Sequence, residues 1–295
     1  SYIQNTVKES EVKVKPTEIR MVTVNNEQIE VHYLPSDEPD FDHYEIYRGE
    51  RSHTESLVYY KSVYARNDTL FVDSNVDVNS ISYCYEVRVA DDCGHVSAFT
   101  DKNCTIVIDG VPINDIARTT RFSMDLNWDY YIGWPNGVET YTLMRAVDTG
   151  ILRPIIALND PALSYNDGNL DYDWGGYWYS VQAKQRSGGL DGTSRSNDIY
   201  LIQPPLVFVP NAVTANGDNL NDVFGWSDVF VREFEMRLYN RWGEKVFESS
   251  NKNETWDANF NKLDLPYSNV YFWIVTFKGW DNEFHTKKGT VTFMR

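Results

Sequence analysis

The chain has 295 residues, 43 acidic against 27 basic side chains, three cysteines and nine tryptophans. At roughly 100–200 residues per domain it is long enough for two or three cores, and its 42% hydrophobic and 15% aromatic content is too apolar for intrinsic disorder. A net charge of −16 argues against nucleic acid or an anionic membrane as partner, because like charges would repel.

No run approaches about 18 uninterrupted apolar residues, so no transmembrane helix is expected. Ser1 is not followed by a basic-then-apolar leader, as in a mature protein or a fragment of a longer one. The charge is uneven. Residues 206–295 hold 10 basic and 12 acidic side chains, the remainder 17 and 31, which suggests a tail with a task of its own.

Residues 1–15 are expected to be a linker or the end of a preceding module. Beyond them the apolar period is two almost everywhere, as in Ile29–Tyr33, Tyr83–Val89 and Tyr179–Ala183, with Gly, Asn, Asp and Pro clusters between the runs. No stretch of about ten residues has helical spacing.

Laid on itself, the chain repeats at about 94 residues. Val31-His32-Tyr33 answers to Leu126-Asn127-Trp128, Tyr44–Arg48 to Tyr141–Arg145, Leu70–Val76 to Leu163–Leu170 with one slip, and Tyr83–Val89 to Tyr177–Ala183. Four strands matched in one order predict two copies of one sandwich, over 16–109 and 110–204. Tyr83 and Tyr177 are placed to return their hydroxyls to the backbone at a sandwich corner.

Pro204-Pro205 predicts a stiff joint into a third unit, 205–295. Its strands flank the short connection Asn240-Arg241-Trp242-Gly243, typical of a hairpin. Val270–Phe277 is apolar at nearly every position, as a strand buried on both faces would be. The fold class expected is all-β, three consecutive antiparallel sandwiches.

Two resemblances sharpen this. The order of an aromatic second strand, Tyr-x-Ile/Leu-x-Arg and Tyr-x-Tyr-x-Val-x-Ala resembles fibronectin type III-like domains. From Phe208 to Phe224 the chain is similar to the P-N-A-F-T-P-N-G-D-G-x-N-D-x-F opening of gliding-motility-associated C-terminal domains, the type B sorting domains of the type IX secretion system of Bacteroidota.

That likeness runs on through Leu238–Gly243, Val246-Phe247-Glu248, Trp256-Asp257, Pro266 and Val270–Trp273 to Lys287–Thr292. Ala215, Asn219, Ala258 and Ser268-Asn269 depart from it in loops. It implies an Ig-like terminal sandwich recognised by the outer-membrane translocon and its shuttle protein. The positions that carry it are Pro210, Asn211, Asn216, Gly217, Asp218, Asn221, Asp222, Asn240, Arg241, Trp242, Gly243, Trp256, Asp257, Lys287, Lys288, Gly289 and Arg295.

Other chemistry is thinly marked. Asn216, Asp218, Asn221 and Asp222, beside Asn211, offer oxygen ligands of the kind calcium prefers, though Leu220 breaks the EF-hand spacing; an Asx-rich turn is the competing reading. No other cofactor is implied. Three cysteines allow a Cys84–Cys104 or a Cys93–Cys104 bridge, or three thiols. His32, His43, His53, His95 and His285 are scattered, and no catalytic motif occurs, so no enzyme activity is expected.

Trp178 should point outward from its strand, and Trp134 and Trp174 lie in loops. They could stack on sugars or anchor a partner, or pack against a neighbouring module. The expected function is therefore the C-terminal region of a large surface or extracellular protein exported through periplasm and outer membrane, an adhesin used in gliding. The alternatives are the tail of a secreted glycan-degrading enzyme, or a carbohydrate-binding module.

Overall fold

The computed structural model describes residues 13–53, 57–115, 121–190, 192–214, 216, 218, 220–257 and 268–294. Residues 1–12, Ala215, Gly217, Asn219, Ala258, Pro266 and Arg295, for which the sequence carries expectations, lie outside these. The described residues hold one short 3-10 turn, Arg51–His53, and otherwise strands and connections.

The first unit comprises β1 (Ile19–Asn25), β2 (Gln28–Tyr33), β3 (Phe41–Glu50), β4 (Val58–Val63), β5 (Leu70–Asp73), β6 (Tyr83–Asp91) and β7 (Asn103–Cys104). They form two sheets, β1-β2-β5 and β4-β3-β6-β7. Alternation dictates the faces: Ile29, Val31 and Tyr33 on β2, and Tyr85, Val87 and Val89 on β6, share one core with Tyr44 and Ile46.

The second unit comprises β8 (Ile108–Asp115), β9 (Arg121–Trp128), β10 (Val138–Val147), β11 (Arg153–Asn159), β12 (Ser164–Asp167), β13 (Gly176–Gln185), β14 (Thr193–Arg195) and β15 (Ile199–Ile202). Its sheets are β12-β9-β8 and β11-β10-β13-β14, with β15 also on β13. The strands β1 to β6 recur in order as β8 to β13 across two sheets of the same arrangement, and β15 pairs with β13 as β7 does with β6, which is what the 94-residue periodicity in sequence expresses; β14 is an addition.

The copies share a buried polar triad. In the first, Arg48 Nη1 and Tyr85 OH each donate to Asp73 Oδ2 at 2.8 Å, while Arg48 also donates to the Asn75 carbonyl at 3.0 Å. In the second, Arg145 Nη1 and Tyr179 OH donate to Asp167 Oδ2 at 2.8 Å, and Arg145 to the Asn169 carbonyl at 2.9 Å. Burial alone would raise the Asp73 carboxyl, but the Arg48, Tyr85 and Asn75 hydrogen bonds hold it below the usual carboxylate range. Burial, then the neighbouring carboxylate, pushes both tyrosine hydroxyls up, so they remain protonated donors. The corner tyrosines meet the backbone: Tyr177 OH donates to the Asp171 carbonyl at 2.7 Å, and Tyr83 OH accepts from the Asp77 amide at 3.3 Å.

The third unit pairs β16 (Leu206–Phe208) with β18 (Ser227–Val229), and builds a five-stranded sheet β17-β22-β21-β19-β20 from β17 (Ala212–Thr214), β19 (Glu233–Tyr239), β20 (Lys245–Ser249), β21 (Ser268–Lys278) and β22 (Phe284–Met294). Among the described strands only β17 and β22 run parallel, with Ala212 opposite Thr292. The expectation that Val270–Phe277 is covered on both sides needs correcting. β21 is central in its sheet, but Tyr271, Trp273, Val275 and Phe277 face the core, while Val270 and Phe272 are 45% and 50% exposed. The core packs on one face of this sheet, and Val270 and Phe272 on the other face stand in solvent.

The units are joined by built seams. At the first, Ser194 Oγ donates to the Val22 carbonyl (2.7 Å), the Arg195 amide to Thr23 Oγ1 (2.8 Å) and the Val22 amide to Tyr131 OH (3.0 Å). At the second, Phe230 is fully buried edge-on against Phe122 and Tyr172, and its amide donates to the Tyr172 carbonyl at 2.7 Å.

Candidate functional site in the terminal unit

The register of the five-stranded sheet decides where the motif residues go. β19 ends at Tyr239, opposite Phe272, which in turn faces Thr290. β17 runs beside the last residues of β22, Thr214 opposite Met294. The Asn240–Gly243 turn and the Asn216–Asp222 loop therefore leave the sheet at one end. The opposite end, with Phe230 and Trp280, is packed against the second unit through Phe122, Tyr172 and Trp174.

Asn216, Asp218 and Asn240 turn their side-chain oxygens onto nearby backbone amides. Asn240 Oδ1 accepts from the Trp242 and Glu244 amides, both at 3.0 Å, and Gly243 closes the turn at φ +83°, a conformation that favours glycine. Asn216 Nδ2 donates to Asp218 Oδ2 at 3.0 Å, and Asp218 Oδ1 accepts from the Leu220 amide at 2.8 Å. The Leu220 amide and the Asn216 amide group lower the Asp218 carboxyl.

Asn221 adopts φ +55°, and its carbonyl accepts from the Thr214 amide at 2.9 Å; Asp222 is half-buried beside it. These are interlocked Asx turns. Among the described residues no three His, Cys, Asp or Glu side chains gather as a metal site.

Trp256 is a core residue. Its amide and carbonyl bridge those of Phe224 at 2.8 and 2.7 Å, and its ring stands edge-on to Tyr271 and Phe293; Asp257 follows it at the surface. Pro210 is half-buried, and the Asn211 carbonyl accepts from the Thr292 amide at 2.9 Å. Gly289 lies flat on Trp273, so a Cβ there would meet the indole at 2.5 Å. Lys287 reaches back to the Val207 carbonyl at 3.2 Å, whereas Lys288 is exposed.

Arg241 and Trp242 differ from the rest of the motif. Trp242 is 76% exposed at the hairpin tip, with the Arg241 guanidinium stacked 4.2 Å above its ring. A large ring held in water by a rigid turn can serve as an anchor.

Elsewhere, Cys84 and Cys104 stand directly opposite one another and are joined by a disulfide, leaving Cys93 exposed as a thiol. Of the two readings of Trp134, packing against a neighbouring module is the one observed: it is 7% exposed, and its indole nitrogen donates across the first seam to the Arg20 carbonyl at 3.0 Å. Trp174 packs on Trp280, and Trp178 faces outward beside Tyr200. Tyr200 carries no sequence motif; its signal is positional, since it faces Trp178 as Cys104 faces Cys84, and Trp178 lies 94 residues after Cys84.

Comparisons with known proteins identify a family for the terminal unit. No curated protein matches it in sequence. Among solved structures, it is similar to a two-domain fibronectin type III segment of chicken tenascin, with 14% identity, a TM-score of 0.27, and coverage of 64% of this chain and 99% of that one. It is also similar to the FN1–FN3 domains of chicken CNTN1 (12% identity, TM-score 0.26, coverage 95% and 99%).

A third is a tetra-tandem repeat in the extending region of a large adhesion protein (10% identity, TM-score 0.31, coverage 94% and 73%). Residues 207–293 match the CHU_C type IX secretion signal domain. Over that stretch the chain carries a type IX secretion signal domain, an address for export to the cell surface or the extracellular space.

Proposed function

We propose that this chain is the tail of a large cell-surface adhesin of a gliding member of the Bacteroidota. In this reading the two fibronectin-like units are spacers, and the terminal unit is read by the outer-membrane type IX translocon and its shuttle protein. The observation that carries it is the family match over 207–293, falling on a unit with a core of its own, from Val207 to Phe293. The first two units contribute span and negative charge, and no catalytic role is assigned to any unit.

The face read is the end of the sheet turned away from the second unit, where Arg241 and Trp242 project. Deleting residues 206–295 is expected to leave the cargo in the periplasm, scored by surface labelling against cell fractionation; unchanged surface delivery would overturn the reading. Trp242→Ala in the intact protein tests the face itself, since it should lower export while leaving the melting temperature in place.

A further inference from the structure

Between the first and second units lies an open cleft of about 790 Å³, roofed on one side by the β1–β2 turn and floored on the other by the β13–β15 pair. Its floor is aromatic. Trp178 and Tyr200 are cross-strand partners on the outer face of the sheet, with ring centroids 4.9 Å apart and planes inclined by 37°, and Trp178 is 38% exposed. The two rings form a broad platform rather than a pit.

The rest of the lining is mixed, with apolar Val24, Val78, Ile199 and Leu201 among polar and charged groups. Asn79 and Glu27 come from the first unit, Asp109 and Asp198 from the second. The guanidinium in the cleft, Arg195, is held by Asp198 at 2.6 Å.

We propose that this cleft is a binding site for a neutral, β-linked oligosaccharide. A pyranose ring with equatorial hydroxyls has flat faces of C–H bonds and a rim of donors and acceptors. The platform takes the first, and the amide and carboxylates take the second. Charge selects within the class. Three carboxylates against one guanidinium already paired would repel uronic-acid polymers, as would the net charge of −16.

The first unit shows what makes the site specific to this place. There the equivalent cross-strand position is occupied by the Cys84–Cys104 disulfide, which is buried where Cys104 meets Ile132 of the second unit. Only the second copy carries aromatic rings at this pair, and only there is the pair open.

The test is calorimetric titration of the full 295-residue chain with cellohexaose, xylohexaose, hexa-N-acetylchitohexaose and hexagalacturonate. At least one neutral hexasaccharide should bind, and hexagalacturonate should not. Trp178→Ala and Tyr200→Ala should each weaken the affinity by about tenfold or more, as loss of a hot-spot aromatic does; Trp174→Ala, outside the cleft, should not.

Because Trp178→Ala could disturb the seam, a second measurement uses the unaltered chain. A bound hexasaccharide should shield Trp178 from N-bromosuccinimide oxidation, mapped by peptide mass. Failure of all three neutral sugars, unchanged affinity in Trp178→Ala, an unshielded Trp178, or hexagalacturonate binding as tightly as the neutral sugars would each overturn the proposal.

Discussion

The first two units and the terminal unit hold their sheets together by different means. In each of the first two, a carboxylate sits between the sheets and collects an arginine and a tyrosine, with the corresponding distances equal to within 0.1 Å across the copies. In the terminal unit the middle of the core is aromatic: Trp256, Tyr271 and Phe293 pack edge-on, with Phe224 fully buried beside them.

A buried triad fixes register, because a slipped strand would leave a charge unpaired. An aromatic core is less exacting about its polar groups. In the terminal unit Asn216, Asp218 and Asn240 shape the turns at its far end, around Trp242.

The largest effect should come from breaking the triads. Asp73→Ala and Asp167→Ala each leave a half-buried guanidinium and a buried tyrosine hydroxyl without their acceptor and should cost about 3 kcal/mol in the affected unit, read from urea unfolding, with the terminal unit unmoved. Acid sharpens the same contrast. Since the native Asp73 carboxyl lies below its unfolded value of about 3.9, its contribution is complete above that pH and is lost as pH falls through the native value. Stability of the first unit should thus decline in acid below about pH 4, and Asp73→Asn should remove that part of the decline.

Close to it in size is the covalent bond that only one copy has. Reduction, or Cys84→Ser with Cys104→Ser, opens a link across a sequence separation of 20 and should cost about 3 kcal/mol in the first unit alone. Equal losses in both units would contradict a bond that acts within the first unit only. In the terminal unit, Gly289→Ala pushes a methyl into the Trp273 ring and should cost about 1–3 kcal/mol by the same assay. The smallest change is Trp242→Ala, expected within about 0.5 kcal/mol because the ring is mostly in water.

Much of this architecture is legible in the sequence because strands alternate. The runs around Tyr44, Tyr83, Tyr141 and Tyr177 carry their inward residues at every second position, and the repeat brings them into line. The triad acids are harder to see: Asp73 and Asp167 look like ordinary strand-end residues. Their signal is a shared spacing of twelve residues to Tyr85 and Tyr179.

The burial of Trp134 depends on a partner more than 100 residues away, the Arg20 carbonyl, which no local pattern encodes. The same holds for the parallel pairing of β17 with β22. In the terminal motif, the resemblance marks which residues recur, but not that Asn240, Asp218 and Gly289 shape the backbone while Trp242 is presented outward.

Phe230 sets a limit on how portable the address is. A bulky residue at φ +58° is conformationally costly, and here it is clamped by Phe122 and Tyr172 of the preceding unit, with Trp280 sheltered nearby against Trp174. A graft that begins at the Pro204-Pro205 joint would leave those rings bare. One that begins near Gly110 takes the clamp along, and should give the cleaner, less aggregation-prone passenger.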